Sequence, residues 1–246
     1  MDQVSLKGKR ILVTGGTTGI GRATVALLAE QGGRVLTFGR HDPELQDSLQ
    51  NARSRATGDV RGLVADVSMV EGVKTVFEAV DRDLGGLDIL INNAGLSVEG
   101  VRDSEDAEWR YAVETNFVGY LACARESIKR LEASGGGHLV FIGSISAAKK
   151  SPGTSTYAAT KAGIAAFAET LRKEVAEKNI KVTWIEPGSV GADMQESSPE
   201  EQRKKIAAHE MLYAEDIADA IAFALTRPAR TDVSLMRVEP RLQDAN

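Results

Sequence analysis

The segment Thr14-Gly15-Gly16-Thr17-Thr18-Gly19-Ile20-Gly21 constrains this chain more than any other. An apolar run, Ile11-Leu12-Val13, precedes it, and a helix-patterned stretch from Arg22 to Ala29 follows. Strand, glycine turn and helix in that order suit a dinucleotide pyrophosphate. Glycines let the backbone turn tightly and approach the phosphates, and the helix N-terminus offers unpaired N–H groups and a positive dipole end. Gly15, Gly19 and Gly21, with Thr17, Thr18 and Ile20 among them, are the candidate contact residues. The spacing G-x-x-x-G-x-G makes a longer loop than G-x-G-x-x-G, and no Gly-Lys-Ser/Thr follows, so it is not a Walker loop. An ordinary glycine-rich turn is the plainer alternative.

The rest of the chain repeats the strand-then-helix alternation. Strand candidates are Arg10–Thr14, Arg34–Phe38, Val60–Ala65, Leu87–Ile91, His138–Ile142, Lys181–Glu186 and Val233–Val238, with helix patterns near 19–31, 43–55, 69–84, 107–133, 155–178 and 214–226. Ile89-Leu90-Ile91 and Leu139-Val140-Phe141-Ile142 are apolar without alternation, as expected of parallel strands covered on both faces. The expectation is an α/β fold: a doubly wound parallel sheet of about seven strands, flanked by helices. With 246 residues and no repeat or Pro/Ser-rich linker, residues 1–246 read as one domain. Residues 189–205 are the most loop-like, polar with the basic cluster Arg203-Lys204-Lys205. Extended to 210, they form a candidate substrate lid beyond the sixth strand.

A net charge of −5 and a pI near 5.4 argue against nucleic acid or an anionic membrane surface as partner. The single cysteine, Cys123, excludes an internal disulfide and a multi-cysteine metal site, and in its apolar helical context it reads as a small hydrophobe. His41, His138 and His209 lack metal-ligand spacing, so no metal is expected. No stretch reads as a signal peptide or a bilayer span, and a cytoplasmic protein is the default reading.

Coenzyme choice is written at the end of the second strand, where an acid would bond a ribose 2′-hydroxyl and an arginine would pair a 2′-phosphate. Here Gly39 and Arg40 follow Phe38. NADP is therefore expected over NAD, with a solvated surface arginine as the bland alternative. Asp42 competes for the acid's role, but Asp42-Pro43-Glu44 also reads as a helix start with Asp42 as N-cap.

A second constellation is Ser144, Tyr157 and Lys161. Tyr157 and Lys161 are four apart at the start of a helix pattern, hence on one face. An adjacent ammonium would favour the phenolate, lower the phenol pKa from its usual value, and make it a usable acid or base. Y-x-x-x-K alone is a weak signal.

With those residues in place the chain resembles the short-chain dehydrogenase/reductase family nearly end to end. Thr14-Gly15-x-x-x-Gly19-x-Gly21, Asn92-Asn93-Ala94-Gly95, Asn116, the Ser144–Tyr157–Lys161 set and Pro187-Gly188 stand in the family's order. The resemblance implies a Rossmann-type fold and an NADP-dependent oxidoreductase moving hydride between nicotinamide and a carbonyl or secondary alcohol. It implies that Tyr157 exchanges the proton and Ser144 binds the substrate oxygen. Lys161 would tune Tyr157 and hold the nicotinamide ribose, and Asn116 would position a relay water. It also implies that Asp66 and Val67 contact the adenine, that Asn93, Ala94 and Gly95 pass under the adenine-side ribose, and that Pro187, Gly188 and Val190 serve the nicotinamide end. A catalytically silent NADP-binding sensor or assembly protein is the alternative on the same fold.

The chain departs from the family's pattern in two places. Ala192 replaces the usual threonine after Pro187-Gly188, with Ser189 as a substitute hydroxyl, and the Gly-Gly end is missing near Val233–Val238. Ile185-Glu186-Pro187-Gly188 resembles the branch of NADP-dependent 3-hydroxy acid dehydrogenases, although Glu239-Pro240-Arg241 differs from that branch's tail. Lys149-Lys150 could face an anionic substrate, with a solvated loop as the plainer reading. Finally, Phe117, Tyr120, Leu121 and Cys123, with Ile164, Phe167, Ala168 and Leu171, suggest a second apolar face on two helices. Relatives pair these helices, so a homodimer or homotetramer is expected; the alternative is that the lid covers this stripe.

Overall fold

The apolar runs become strands of one parallel sheet: β1 (Arg10–Thr14), β2 (Arg34–Gly39), β3 (Val60–Val64), β4 (Ile89–Asn92), β5 (Gly137–Ile142), β6 (Ile180–Pro187) and β7 (Leu235–Val238). Their spatial order is β3-β2-β1-β4-β5-β6-β7. The computed structural model describes residues 4–191 and 197–243. Around the sheet lie α1 (Gly19–Glu30), α2 (Asp42–Arg53), α3 (Val70–Ala79), α4 (Asp106–Val113), α5 (Gly119–Ala133), α6 (Ser155–Val175), α7 (Pro199–Ala207) and α8 (Ala214–Leu225).

Both faces of the sheet are covered, which explains the unbroken apolar strands. Successive side chains on a strand point to opposite faces. On β1, Leu12 joins one core with Val76, Tyr120, Phe141 and Ile164, while Ile11 and Val13 join the other with Val25, Leu28, Leu49 and Ile221. Strands β1 and β4 pair directly, yet β2 lies on the other side of β1. That reversal opens a crevice at their carboxyl ends.

Four local expectations change. His41 is the N-cap of α2, and Asp42 is its first residue, so the helix begins one position earlier than the Asp-Pro signal suggested. The pattern at 107–133 is helical throughout, as expected, but it widens into a π-helical turn, Glu114–Val118, between α4 and α5. Such wide turns redirect side chains at functional positions, and this one contains Asn116. A second π-helical turn, Val80–Leu84, closes the 69–84 pattern and ends at Gly85, whose φ is +74°. The stretch 189–205 is not all loop, because Ser198 and Glu201 form a reciprocal capping box that starts α7.

Cys123 is fully buried, and burial pushes its thiol up to about 12. Tyr120, Cys123, Ile164, Ala168 and Leu171 all belong to the core. They are therefore not a second exposed face, and α7 does not cover them: it borders the cavity at Ser144. Among the described residues no helix is long and apolar enough to cross a membrane.

His138, at 6 % exposure on β5, bonds Thr183 Oγ1 at 2.8 Å through Nε2. Burial depresses its pKa to about 3, so the folded protein refuses a proton that the unfolded chain accepts below about 6.5. Stability therefore falls with pH through that window, by about 1.4 kcal/mol per unit from this residue. In urea titrations at pH 6.5 and 5.0, a His138→Gln variant is expected to lose about 1.6 kcal/mol less than the parent. Equal losses would refute the assignment.

Candidate active site

The crevice beyond β1 and β4 is a cleft of about 460 Å³. It is lined by Gly15, Thr17, Thr18, Gly19, Ile20, Gly21, Arg40, Asp66, Val67, Asn93, Ala94, Gly95, Tyr157 and Lys161. Two glycines have steric reasons to be there. Gly15 has a φ of +64°, and a Cβ on it would sit 2.8 Å from the Ala94 Cα; a Cβ on Gly21 would run into the Gly15 carbonyl oxygen. The start of α1 is open: the Thr18 side chain makes no cap bond and the first turn holds no acid. Its N–H groups and dipole are thus available to an anion.

Asn93 serves the loop rather than facing outward. Its Nδ2 donates to the Thr14 and Gly15 carbonyls at 3.0 and 3.1 Å, while Thr14 Oγ1 accepts from the Asn93 and Ala94 N–H groups. Thr115 also lines the cleft, and its buried hydroxyl lies by the Tyr111 phenol without a well-formed hydrogen bond. An open helix start with crowded glycines in a cleft fits a polar ligand such as a dinucleotide. A threonine within a helix pattern carries no signal that would have singled it out.

At one end of the cleft, Gly39 leaves no room for an acidic side chain, because a Cβ there would meet Thr17 Cγ2. Asp42 does not line the cleft and instead accepts a bond from Gln46 at 3.0 Å. Arg40 does line it, together with His41 and Glu44, which the sequence reading had not singled out for the site. Arg40 Nη1 donates to the Tyr111 hydroxyl at 2.7 Å, and that hydroxyl donates to Asp66 Oδ2 at 2.8 Å. Asp66 Oδ1 accepts from the Ser68 N–H and hydroxyl. Burial opposes ionisation of Asp66, but these bonds and nearby Arg40 outweigh it and hold its pKa below the usual carboxylate value.

At the other end stand Tyr157 and Lys161 of α6. Lys161 is 4 % exposed, and its Nζ donates to the Ile142 carbonyl at 3.0 Å. Burial lowers its pKa to about 8. The phenol does not behave as the Y-x-x-x-K spacing suggested. Burial raises the Tyr157 pKa, opposed by its contact with the Ser144 hydroxyl, and Lys161 Nζ lies over the ring, 5.8 Å from its centroid. Desolvation of both groups, which spacing cannot report, reverses the expected direction.

Asn116 is fully buried and locked to Leu96, accepting from its N–H at 2.9 Å and donating to its carbonyl at 2.8 Å. A Cβ on Gly95 would lie 3.4 Å from Asn116 Oδ1 and 3.7 Å from Lys161 Nζ, so both groups flank that glycine.

Tyr157 also borders a second cavity, of about 710 Å³, together with Ser144, Ser97, Ser146, Gly188, Ser189, Glu201, Lys205 and Gln243. Gly188 thus faces this cavity, whereas Pro187 and buried Val190, bridged to Leu212, line neither space. Ala192 lies outside the described residues. Lys149 reaches Glu239 at 3.4 Å and Lys150 bonds the Ala147 and Ala148 carbonyls, and neither lines the cavity; Lys205 of α7 does. Among the described residues, no group of acidic, histidine or cysteine side chains could hold a metal ion.

The fold and the cleft define a dinucleotide-binding α/β protein. The short chain dehydrogenase family model matches residues 9–203. An uncharacterized oxidoreductase of Staphylococcus epidermidis is 31 % identical over 236 residues, 96 % of this chain and 98 % of that protein. One from Staphylococcus aureus is 34 % identical over 237 residues, with the same shares covered. A short chain dehydrogenase from Burkholderia cenocepacia, solved in complex with NADP, superposes with a TM-score of 0.86 at 26 % identity, covering 96 % of this chain and 98 % of that one. This chain belongs to the short-chain dehydrogenase family of oxidoreductases.

Proposed function

We propose that this protein is an NADP-dependent reductase of a carbonyl compound, running the reverse alcohol oxidation through the same site. The observation that carries the reading is Tyr157 at the junction of the coenzyme cleft and the polar cavity, beside Ser144. Arg40 at the adenosine end, and a structural relative solved with NADP, support the phosphorylated coenzyme.

The coenzyme supplies hydride at its nicotinamide when bound. Gly15, Thr17, Thr18, Gly19, Ile20 and Gly21 hold the pyrophosphate, and Asp66, Val67, Asn93, Ala94 and Gly95 frame the adenosine half. Ser144 donates to the substrate oxygen and places it against the Tyr157 phenol. Because burial raises the pKa of that phenol, Tyr157 is protonated at neutral pH and acts as general acid in reduction. Lys161, weakened by burial to about 8, can pass a proton near neutral pH, with Asn116 flanking it across Gly95. Gly188 shapes the substrate side, next to Pro187 at the end of β6 and near Val190.

Residues 1–246 act in this reading as one coenzyme-binding domain, with 189–210 as lid over a polar substrate, in the cytoplasm. The presence of Asn116, Ser144, Tyr157 and Lys161 together argues against the silent-sensor alternative, since a silent relative would have little reason to keep all four. The test is a screen of ketones, oxo acids and hydroxy acids with NADPH and NADH, followed by nicotinamide absorbance. Turnover of a carbonyl compound with NADPH supports the reading, and absence of turnover across the panel despite tight NADPH binding favours the alternative.

A homodimer or homotetramer is part of the same reading, on a revised basis. The core takes most of the supposed second stripe, but Val101, Val113, Phe117, Ala159 and Gly163 line an apolar groove between α4, the π-helical turn and α6. Val101 and Val118 remain 61 % and 42 % exposed, and a patch of this kind suits a self-complementary two-fold contact. Light scattering at micromolar concentration is expected to give at least twice the chain mass; a fully active monomer would exclude it.

A further inference from the structure

The Arg40–Tyr111–Asp66 chain holds a residue to which neither the sequence motifs nor the family comparison assigns a role. Tyr111 lies on α4, half-buried, away from every motif discussed above. Its hydroxyl uses both of its capacities: it accepts from Arg40 Nη1 at 2.7 Å and donates to Asp66 Oδ2 at 2.8 Å. The guanidinium carbon also lies 5.3 Å from the Tyr111 ring centroid, within cation–π range. The far oxygen of Asp66 is held by Ser68. A basic group after β2 and an acid after β3 are thereby linked through a single side chain from a third element.

We infer that Tyr111 is a positioning residue that sets coenzyme preference, by holding the Arg40 guanidinium in place for the 2′-phosphate, with Asp66 as the acceptor that anchors the phenol. The inference rests on the proposed role of Arg40. Its physical basis is preorganisation. Arg40 is exposed on a long stem, and an untethered arginine loses rotamer freedom when it grips a phosphate. The tether uses one of the five guanidinium N–H donors and leaves the others for the ligand. Because the phenol donates to Asp66, whose other oxygen is held by Ser68, the phenol oxygen is fixed as an acceptor facing Arg40. A tyrosine that merely packed α4 against the sheet would affect both coenzymes alike; one that aims Arg40 affects the phosphorylated coenzyme selectively.

A double-mutant cycle separates these roles. Dissociation constants for NADPH and NADH would be measured by nicotinamide fluorescence for the parent, Tyr111→Phe, Arg40→Ala and the double variant, with thermal melts confirming that each is folded. Phenylalanine keeps the ring and removes both hydrogen bonds. Tyr111→Phe is expected to weaken NADPH roughly fivefold to tenfold, the scale of one hydrogen bond to a charged group in a partly exposed site. NADH should change by less than about twofold, and in the Arg40→Ala background the same substitution should weaken NADPH by less than about twofold, because the tethered group is gone. Equal weakening of both coenzymes, unchanged NADPH affinity, or multiplicative effects of the two substitutions would overturn the inference. If Arg40→Ala weakens NADPH and Tyr111→Phe does not, only this inference fails. If Arg40→Ala leaves NADPH unchanged, the reading of Arg40 fails with it.

Discussion

Replacing Tyr157 with phenylalanine is expected to lower kcat by a factor of about 10²–10⁴, the usual contribution of general acid–base catalysis. NADPH affinity should stay within about threefold, because the ring still borders the cleft and only a hydroxyl is lost. Tyr157 meets the coenzyme cleft on one side and the Ser144-lined cavity on the other. No other tyrosine is so placed: Tyr120 is fully buried with its hydroxyl on the Ile142 carbonyl, and Tyr111 is engaged with Arg40 and Asp66. Stopped-flow and steady-state rates with any substrate found in the screen provide the check. Turnover within tenfold of the parent would remove Tyr157 from the chemistry and reopen the silent-protein alternative.

The second large effect is expected from Arg40→Asp, which replaces attraction for a 2′-phosphate with repulsion and offers an acceptor to a ribose hydroxyl. Losing a hydrogen bond to a charged group costs about 1.5–3 kcal/mol, roughly tenfold to a hundredfold in affinity. The ratio of kcat/KM for NADPH over NADH should therefore fall at least tenfold. The shift should shrink as salt rises, since Arg40 is exposed and its field is screened. Glu44 already borders this end of the cleft, so the new carboxylate would have an acidic neighbour and no phosphate counter-charge. A parent that prefers NADH, or a variant with undiminished NADPH affinity, would contradict the assignment.

Much of this was legible from residues alone because it depends on short-range rules. A strand covered on both faces must be apolar throughout, and Leu139–Ile142 says so before any contact is known. A backbone that turns this tightly against Ala94 and against its own Gly15 carbonyl must lack a Cβ at Gly15 and Gly21. Cys123, in an apolar helical stretch, is buried as expected. Where local signals misled, a tertiary contact had overridden them. The helix pattern at 107–133 widens into a π turn at Glu114–Val118, where the Asn116 side chain bonds the Leu96 backbone. The polar segment before α8 differs in kind, because its α7 is started by a local signal, the Ser198–Glu201 capping box with Pro199 in the first turn. The supposed second apolar stripe faces the core because α5 and α6 each pack closely against the sheet.

The order of elements, the glycine cradle and the Ser144, Tyr157, Lys161 and Asn116 set follow from the chain itself, because periodicity and fixed spacing are properties of consecutive residues. The direction of the Tyr157 and Lys161 pKa shifts does not, because desolvation depends on what surrounds a group in space: both lie in a buried crevice, where the charged forms are disfavoured. Nor could spacing reveal that Tyr111, seventy-one positions from Arg40 and forty-five from Asp66, would stand between them. The hydrogen bonds of a phenol carry no sequence period. Only the packing of α4 beside the ends of β2 and β3 decides that those three side chains meet.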